Sequence, residues 1–174
     1  MNVLLTIKEQ DINPDAPVVD TSGYKRRHAA RAVVLDENDE VYMMWASRDL
    51  YNKLPGGGVD SGEDVETALA RELLEEVGCK AEIISEIGRI IEYRDEARLH
   101  QVSDCFLVRQ VGDLVPFTLT EKEKAAGFSP IKVPNIDEAI KLMESKRQEN
   151  YGGKFMVLRD LTFLRAAREL LSKT

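Results

Sequence analysis

Gly57–Cys79 reads GGVDSGEDVETALARELLEEVGC, and the fold is read outward from this stretch. Leu54-Pro55-Gly56-Gly57-Gly58 leads into it as a loop in which three glycines admit backbone angles and close approaches that a Cβ forbids. Such a loop can present carbonyls or amides to a ligand. Ser61 followed by Asp64 has the spacing of a capping box, the run from Glu63 to Val77 carries helical apolar periodicity, and Gly78 stands where a C′ residue would. These signals predict a helix of about four turns. At about 100° per residue, Glu72, Glu75 and Glu76 share one arc with Val65 and Ala68. Leu69, Leu73, Val77, Ala70 and Leu74 fall on the adjoining arc, which is expected to face a core.

Like charges three and four residues apart destabilise a helix by about 0.2–0.5 kcal/mol per pair. From Glu63 to Glu76 six acids stand against the single base Arg71, a net of −5 in a chain whose whole charge is −7. Something should compensate them. Mg²⁺ takes carboxylate oxygens, keeps several waters and completes its shell with substrate phosphates. Glu63 and Arg71 are placed to pair with each other and fix the loop against the helix. A helix rich in Glu is by itself most often a solvated face, so the joint pattern has to carry the reading.

Gly57, Glu63, Arg71, Glu72, Leu73, Glu75, Glu76, Gly78 and Cys79 fit the pattern G-x5-E-x7-R-E-U-x-E-E-x-G-U, where U is bulky and apolar. Only Cys79 departs, replacing the usual aliphatic, and a buried cysteine behaves as a small hydrophobe. The stretch resembles the signature of the Nudix hydrolases, which cleave a nucleoside diphosphate linked to another moiety. That resemblance implies a mixed β-sheet sandwiched between helices and hydrolysis of a phosphoanhydride assisted by Mg²⁺, with Mn²⁺ as a substitute. It implies Glu72 and Glu76 as first ligands, Glu75 as a third ligand or the holder of a ligand water, and the carbonyl of Gly56 completing the shell. The base stays open among Glu72, Glu75, Glu121 and Glu123, since a carboxylate from a late loop often serves the family. Gly57, Arg48 and Trp45 are the candidate substrate contacts, Trp45 with Tyr51 as a surface on which a base could stack. Nucleoside triphosphates and dinucleoside polyphosphates lead the expected substrates, followed by nucleotide sugars and capped or triphosphorylated RNA. The alternative is a Nudix-like module that binds a nucleotide without cleaving it.

At 174 residues the chain suits one domain with a sizeable core. We expect an N-terminal extension over 1–22 and a single domain over 23–174. A pI near 5.0 argues against nonspecific binding to nucleic acid, which needs clustered Lys and Arg, and no DNA binding is expected. Lys25-Arg26-Arg27 is the one tight basic cluster, either steering a phosphate or lying in solvent. Cys79 and Cys105 make neither a disulfide framework nor a zinc pattern, which fits a reduced, cytoplasmic setting. MNVLLTIKEQD lacks the features of a signal peptide, and no span approaches the roughly 20 apolar residues that cross a membrane. The N-terminal segment and the last helix are candidates for a homodimer contact.

In chain order, Val3–Ile7 reads as a strand and His28–Asp36 with Val41–Ala46 as a hairpin about Glu37-Asn38-Asp39. Ala81–Tyr93 and Gln101–Val108 read as strands, Gly112–Ala126 as a polar loop and Phe128–Val133 as a late strand. A helix starts at Asn135 or Asp137 and runs through Ser145. Tyr151-Gly152-Gly153 is expected to break the chain before an amphipathic helix over Val157–Ser172. The fold class is α/β (α+β). His28 and His100, with no placed nucleophile, are expected to be surface or hydrogen-bonded residues rather than parts of a hydrolytic triad.

Overall fold

The computed structural model describes residues 1–145 and 148–173. Its strands are β1 (Val3–Ile7), β2 (Lys25–Leu35), β3 (Val41–Ala46), β4 (Tyr51–Lys53), β5 (Lys80–Arg94), β6 (Leu99–Val111) and β7 (Phe128–Val133). Its helices are α1 (Glu9–Ile12), α2 (Val65–Glu76), α3 (Glu121–Ala125), α4 (Ile136–Ser145) and α5 (Tyr151–Leu171). The strands form one seven-stranded sheet in the order β1-β5-β6-β2-β3-β4, with β7 also on β3. The β1–β5 and β2–β6 pairs are parallel and the others antiparallel, so the sheet is mixed.

Alternation along the central strand sets the layers. Ala30, Ala32 and Val34 of β2 join Ala68, Leu69 and Leu73 of α2 in one core, whereas Val33 and Leu35 join Ile140 and Met143 of α4 and Phe155, Phe163 and Leu164 of α5 in the other. Successive side chains of a strand point to opposite faces, and a strand covered on both reads as a continuous apolar run. Each fully buried Phe of α5 is worth about 1.5–3 kcal/mol of transfer free energy. The sheet is therefore sandwiched between helices, as expected.

The expected hairpin holds only at its turn. Asp36 Oδ1 accepts from the amides of Asn38 and Glu40 at 2.8 and 3.0 Å, and β2 pairs with β3 only at Val34–Tyr42 and Leu35–Val41. Beyond that the sheet forks. β3 goes on to pair with β4 and β7, and the glycine loop takes the freed edge of β2. Ala32 N–H donates to Pro55 O at 3.2 Å, Ala30 N–H to Gly57 O at 3.0 Å, and Val59 N–H to His28 O at 3.0 Å.

Helix α2 spans 12 residues, just over three turns, and begins at Val65 because Asp64 is its cap. Asp64 Oδ1 accepts from the Thr67 amide at 2.8 Å, so Ser61, expected in that role, stays in the preceding turn. Ala70 and Leu74, assigned above to the core arc, are exposed; the buried stripe is Ala68, Leu69, Glu72, Leu73 and Glu76. The stripe lies rotated toward the acids, which buries two of them at its margin. Gly78 ends the helix with φ at 75°, its N–H 3.0 Å from Leu73 O, and a Cβ there would lie 2.0 Å from Val115 O.

Tyr151-Gly152-Gly153 does not break the chain. It is the first turn of α5, capped by Asn150, whose Oδ1 accepts from the Gly153 amide at 2.7 Å. The 112–126 segment likewise holds α3, started by a capping box of Thr120 and Glu123. Cys79 and Cys105 are free and buried, and burial pushes the Cys79 thiol up to about 11. Among the described residues no helix is long and apolar enough to cross a membrane.

Candidate functional site

Arg71 fastens the loop to the helix. Its Nε and Nη2 donate to Glu63 at 3.0 Å each, and Nη2 also to Gly58 O at 2.9 Å. The expected Glu63–Arg71 pair is present, and the same guanidinium reaches further. Its Nη1 donates to Glu72 Oε1 at 2.9 Å and to Glu75 Oε2 at 3.3 Å, offsetting part of the repulsion between the acids.

Glu76 is 1% exposed and is held from two sides. Its Oε2 accepts from the Gly56 amide at 2.6 Å and its Oε1 from Lys53 Nζ at 2.5 Å. The Gly56 carbonyl in turn accepts from Lys53 Nζ at 3.3 Å and from Arg31 Nη1. Glu72 closes against the loop as well, since a Cβ on Gly57 would lie 2.2 Å from Glu72 Oε1. Burial raises the Glu72 carboxyl above the usual range, against the Arg71 hydrogen bond and together with the neighbouring Glu76 charge. Among the described residues no three His, Cys, Asp or Glu side chains converge on one ion-sized point; Glu72 and Glu75 pair with Arg71, and Glu76 with Lys53.

A cleft of about 800 Å³ opens beside them. Its lining includes Gly57, Gly58 and Glu72, Thr120, Lys122 and Glu123, and Gly152 and Gly153 of α5. Seven of its lining residues are Arg or Lys and three are Asp or Glu. Lys53, Arg94 and Arg159 of this lining are paired with the buried acids Glu76, Glu92 and Asp160, and an excess of bases over acids in the lining of a chain of net −7 favours anionic ligands.

Of the residues singled out in the sequence, Glu72, Gly57, Arg48 and Glu123 line the cleft. Arg48 meets its neighbour Asp49 at 2.7 Å. Glu123 is fixed by its cap, Oε2 accepting from the Thr120 amide and hydroxyl at 2.8 and 2.7 Å. Gly56, Glu75 and Glu76 are outside the lining, Gly56 and Glu76 buried and Glu75 partly exposed, and Glu121 turns to Lys124 at 2.7 Å. Trp45 lies outside the lining; the rings that face the cleft are Tyr51 and Phe128, edge to face at 5.9 Å. Of the basic cluster only Arg27 reaches the cleft, donating to Gln101 Oε1 at 2.6 Å.

Beneath the cleft runs a buried polar network that the sequence reading missed. Glu92, wholly buried, accepts from Arg94 at 2.7 Å, from Gln101 at 2.7 Å and from Arg159 at 3.5 Å. Arg159 also donates to Asp160 at 2.7 Å, and the second oxygen of Asp160 accepts from the Leu54 amide at 2.9 Å. The available signal was Arg159-Asp160 between Phe155 and Phe163 in a helix otherwise periodic in apolar residues. Neither histidine lines the cleft: His28 meets Asp104 at 2.8 Å, beside Arg89, and His100 stacks on Tyr93 at 4.6 Å.

A family model described as NUDIX domain matches residues 25–151. The RNA pyrophosphohydrolase of Shewanella sp. (strain ANA-3) is 31% identical over 137 residues, covering 76% of this chain and 69% of that protein. The RNA pyrophosphohydrolase of Shewanella baltica (strain OS155 / ATCC BAA-1091) matches to the same extent. A solved structure described as an ADP compounds hydrolase superposes with a TM-score of 0.61 at 20% identity, over 87% of this chain and 76% of that one. A NUDIX hydrolase from Nitrosomonas europaea gives 0.58 at 17% identity, over 78% and 89%. At these identities the two structures speak for the fold alone.

Proposed function

The chain belongs to the Nudix hydrolase family, and from that premise we propose that it hydrolyses a phosphoanhydride bond in a nucleoside diphosphate linked to another moiety. The observation that carries this reading is Glu72 of the acidic helix facing a cleft otherwise lined mainly by Arg and Lys. Carboxylates to hold a cation and guanidinium groups to hold phosphates are the two needs of phosphoryl transfer, which depends on positioning and charge neutralisation.

Glu72, Glu75 and Glu76, with the Gly56 carbonyl, would hold Mg²⁺ or Mn²⁺, and a donor set of hard oxygens suits both ions. Two features support the fit. Glu72 Oε1 and Glu75 Oε2 both lie within 3.3 Å of one cationic nitrogen, Arg71 Nη1, and the Gly56 carbonyl already draws Lys53 and Arg31. When bound, such an ion neutralises phosphate charge and acidifies water. The chain's own residues position the parts: Arg71 and Glu63 lock the loop to α2, while Lys53 and the Gly56 amide hold the Glu76 carboxylate. Of the late-loop acids, Glu123 is favoured over Glu121 as base because it lines the cleft. A carboxylate outside the ligand set also keeps more of its basicity.

The proposed substrate is a nucleotide, with nucleoside triphosphates and dinucleoside polyphosphates first. The likeness to RNA pyrophosphohydrolases supports keeping RNA, already among the expected substrates, in the panel. The test is release of phosphate or pyrophosphate from triphosphates, dinucleoside polyphosphates, nucleotide sugars and 5′-triphosphorylated RNA, with Mg²⁺ or Mn²⁺ and with chelator. Metal-dependent turnover of one class is expected; tight binding with no turnover of any would favour a module that only holds a nucleotide. Glu76→Gln keeps an oxygen for the Gly56 amide but removes the charge facing Lys53, so turnover is expected to fall by orders of magnitude with the fold kept and the melting temperature lowered. Unchanged turnover would remove Glu76 from the site.

A further inference from the structure

Arg31 stands out on the floor of the cleft. It is 5% exposed, interrupts the apolar run of β2 between Ala30 and Ala32, and its Nε is buried without a hydrogen-bond partner. Among the described residues its guanidinium meets only the Gly56 carbonyl, and no carboxylate lies within ion-pair distance. Arg159, 2% exposed, reaches the same cleft from α5. Its acids are shared: Glu92 also serves Arg94, and Asp160 also accepts the Leu54 amide. Burial of charge without full pairing is unfavourable; burial and the charges of Arg159 and Arg27 bear against the Arg31 guanidinium, and the more distant charges of Asp160 and Glu76 offset part of this. A planar fork of donors is the side chain best matched to a phosphate oxyanion.

We propose that Arg31 and Arg159 form an oxyanion subsite on the cleft floor that takes a substrate phosphate beyond the pair flanking the cleaved bond, so that the preferred ligands carry a chain of three or more phosphates. This choice of substrate rests on the hydrolase reading above, while the anion subsite itself does not. A phosphate there meets the guanidinium groups where they line the cleft and supplies the anionic partner that Arg31 lacks within ion-pair distance. Ligands with only two phosphates, such as nucleotide sugars, leave the subsite empty.

The experiment is calorimetric titration of the full chain with tripolyphosphate, pyrophosphate and orthophosphate in chelator, without divalent metal. Tripolyphosphate is expected to bind saturably and tightest, and Arg31→Gln to weaken it about 10-fold or more, as loss of a charge-assisted hydrogen bond does. Arg31→Lys, which keeps the charge without the fork, is expected to fall between. Arg26→Gln removes a neighbouring charge from outside the cleft and is expected to change affinity by less than about 2-fold. Absence of saturable binding by the native chain, an unaltered Arg31→Gln, or equal weakening by Arg26→Gln would each overturn the subsite. Melting curves accompany each variant, and if Arg31→Gln does not fold, Arg31→Lys decides, with native affinity counting against the proposal. Failure of the hydrolase reading shows separately, as absent metal-dependent turnover in a chain that still binds tripolyphosphate.

Discussion

At Gly57 the space for a side chain is already taken, since a methyl group would sit 2.2 Å from Glu72 Oε1. Gly57→Ala should therefore push the Glu72 carboxylate out of position and leave the core untouched. Misplacement by about 1 Å can cost about 100-fold in rate, and we expect a loss of that order in kcat with an unchanged circular dichroism spectrum. A variant of native rate would mean that Glu72 tolerates the shift. This residue-level geometry was legible because the spacing of the signature encodes it: Glu63 meets Arg71, and Glu72, Glu75 and Glu76 share a face. Trp45 and Glu121 do not line the cleft: the strand that carries Trp45 is flanked by β7, a pairing no local spacing records, whereas Glu121 turns to Lys124 three residues on, a spacing the sequence does show. Arg31 was hidden in a strand whose apolar periodicity makes a single charge look incidental.

Among elements, the turn between β2 and β3 carries a pH dependence. Burial alone would raise the Asp36 carboxyl, but hydrogen bonds from Lys132 and from the Asn38 and Glu40 amides bring it down to about 2. A carboxyl depressed on folding contributes stability above its unfolded value of about 4, and that contribution is lost as pH falls through its folded value. The melting temperature should drop between about pH 4 and pH 2 more steeply for the native chain than for Asp36→Asn, which at neutral pH should be less stable by about 1 kcal/mol. Parallel curves would show that the turn does not depend on this charge. Lys132 also makes the turn a joint, because it ties β7 to Asp36 and Glu40. Helix α5 shows where element reading failed. Gly152 and Gly153 lower helix propensity, yet the Asn150 side chain satisfies the first-turn amide and sets the start there.

Across the whole molecule, Asp160 connects helix α5 to the chain that enters the glycine loop. Its two oxygens hold Arg159 at 2.7 Å and the Leu54 amide at 2.9 Å, and it is wholly buried. Asp160→Ala leaves a buried guanidinium short of its partner, a change that typically costs about 3–5 kcal/mol, read as a lower urea midpoint. A loss under about 1 kcal/mol would show that water or Glu92 replaces it. The periodicity of strands and helices gave the α/β (α+β) class, and the sheet between helices was legible only through the resemblance carried by Gly57–Cys79. Strand order was not, because the β2–β6 and β1–β5 pairings join residues roughly seventy to ninety positions apart and leave no local trace.

The fork in the sheet gives β2 two kinds of neighbour. On one side its residues 25–35 pair with β6, and on the other the amides of Ala30 and Ala32 donate to the glycine loop. Those two hydrogens can therefore exchange with solvent whenever the loop lifts, without any breach of the ladder beside them. Local openings of this kind have free energies below that of global unfolding. Deuterium uptake at Ala30 and Ala32, set against that of the β6-facing amides, would measure how often the ligand loop leaves its seat. A bound nucleotide that slows only this pair would tie the motion to occupancy of the cleft.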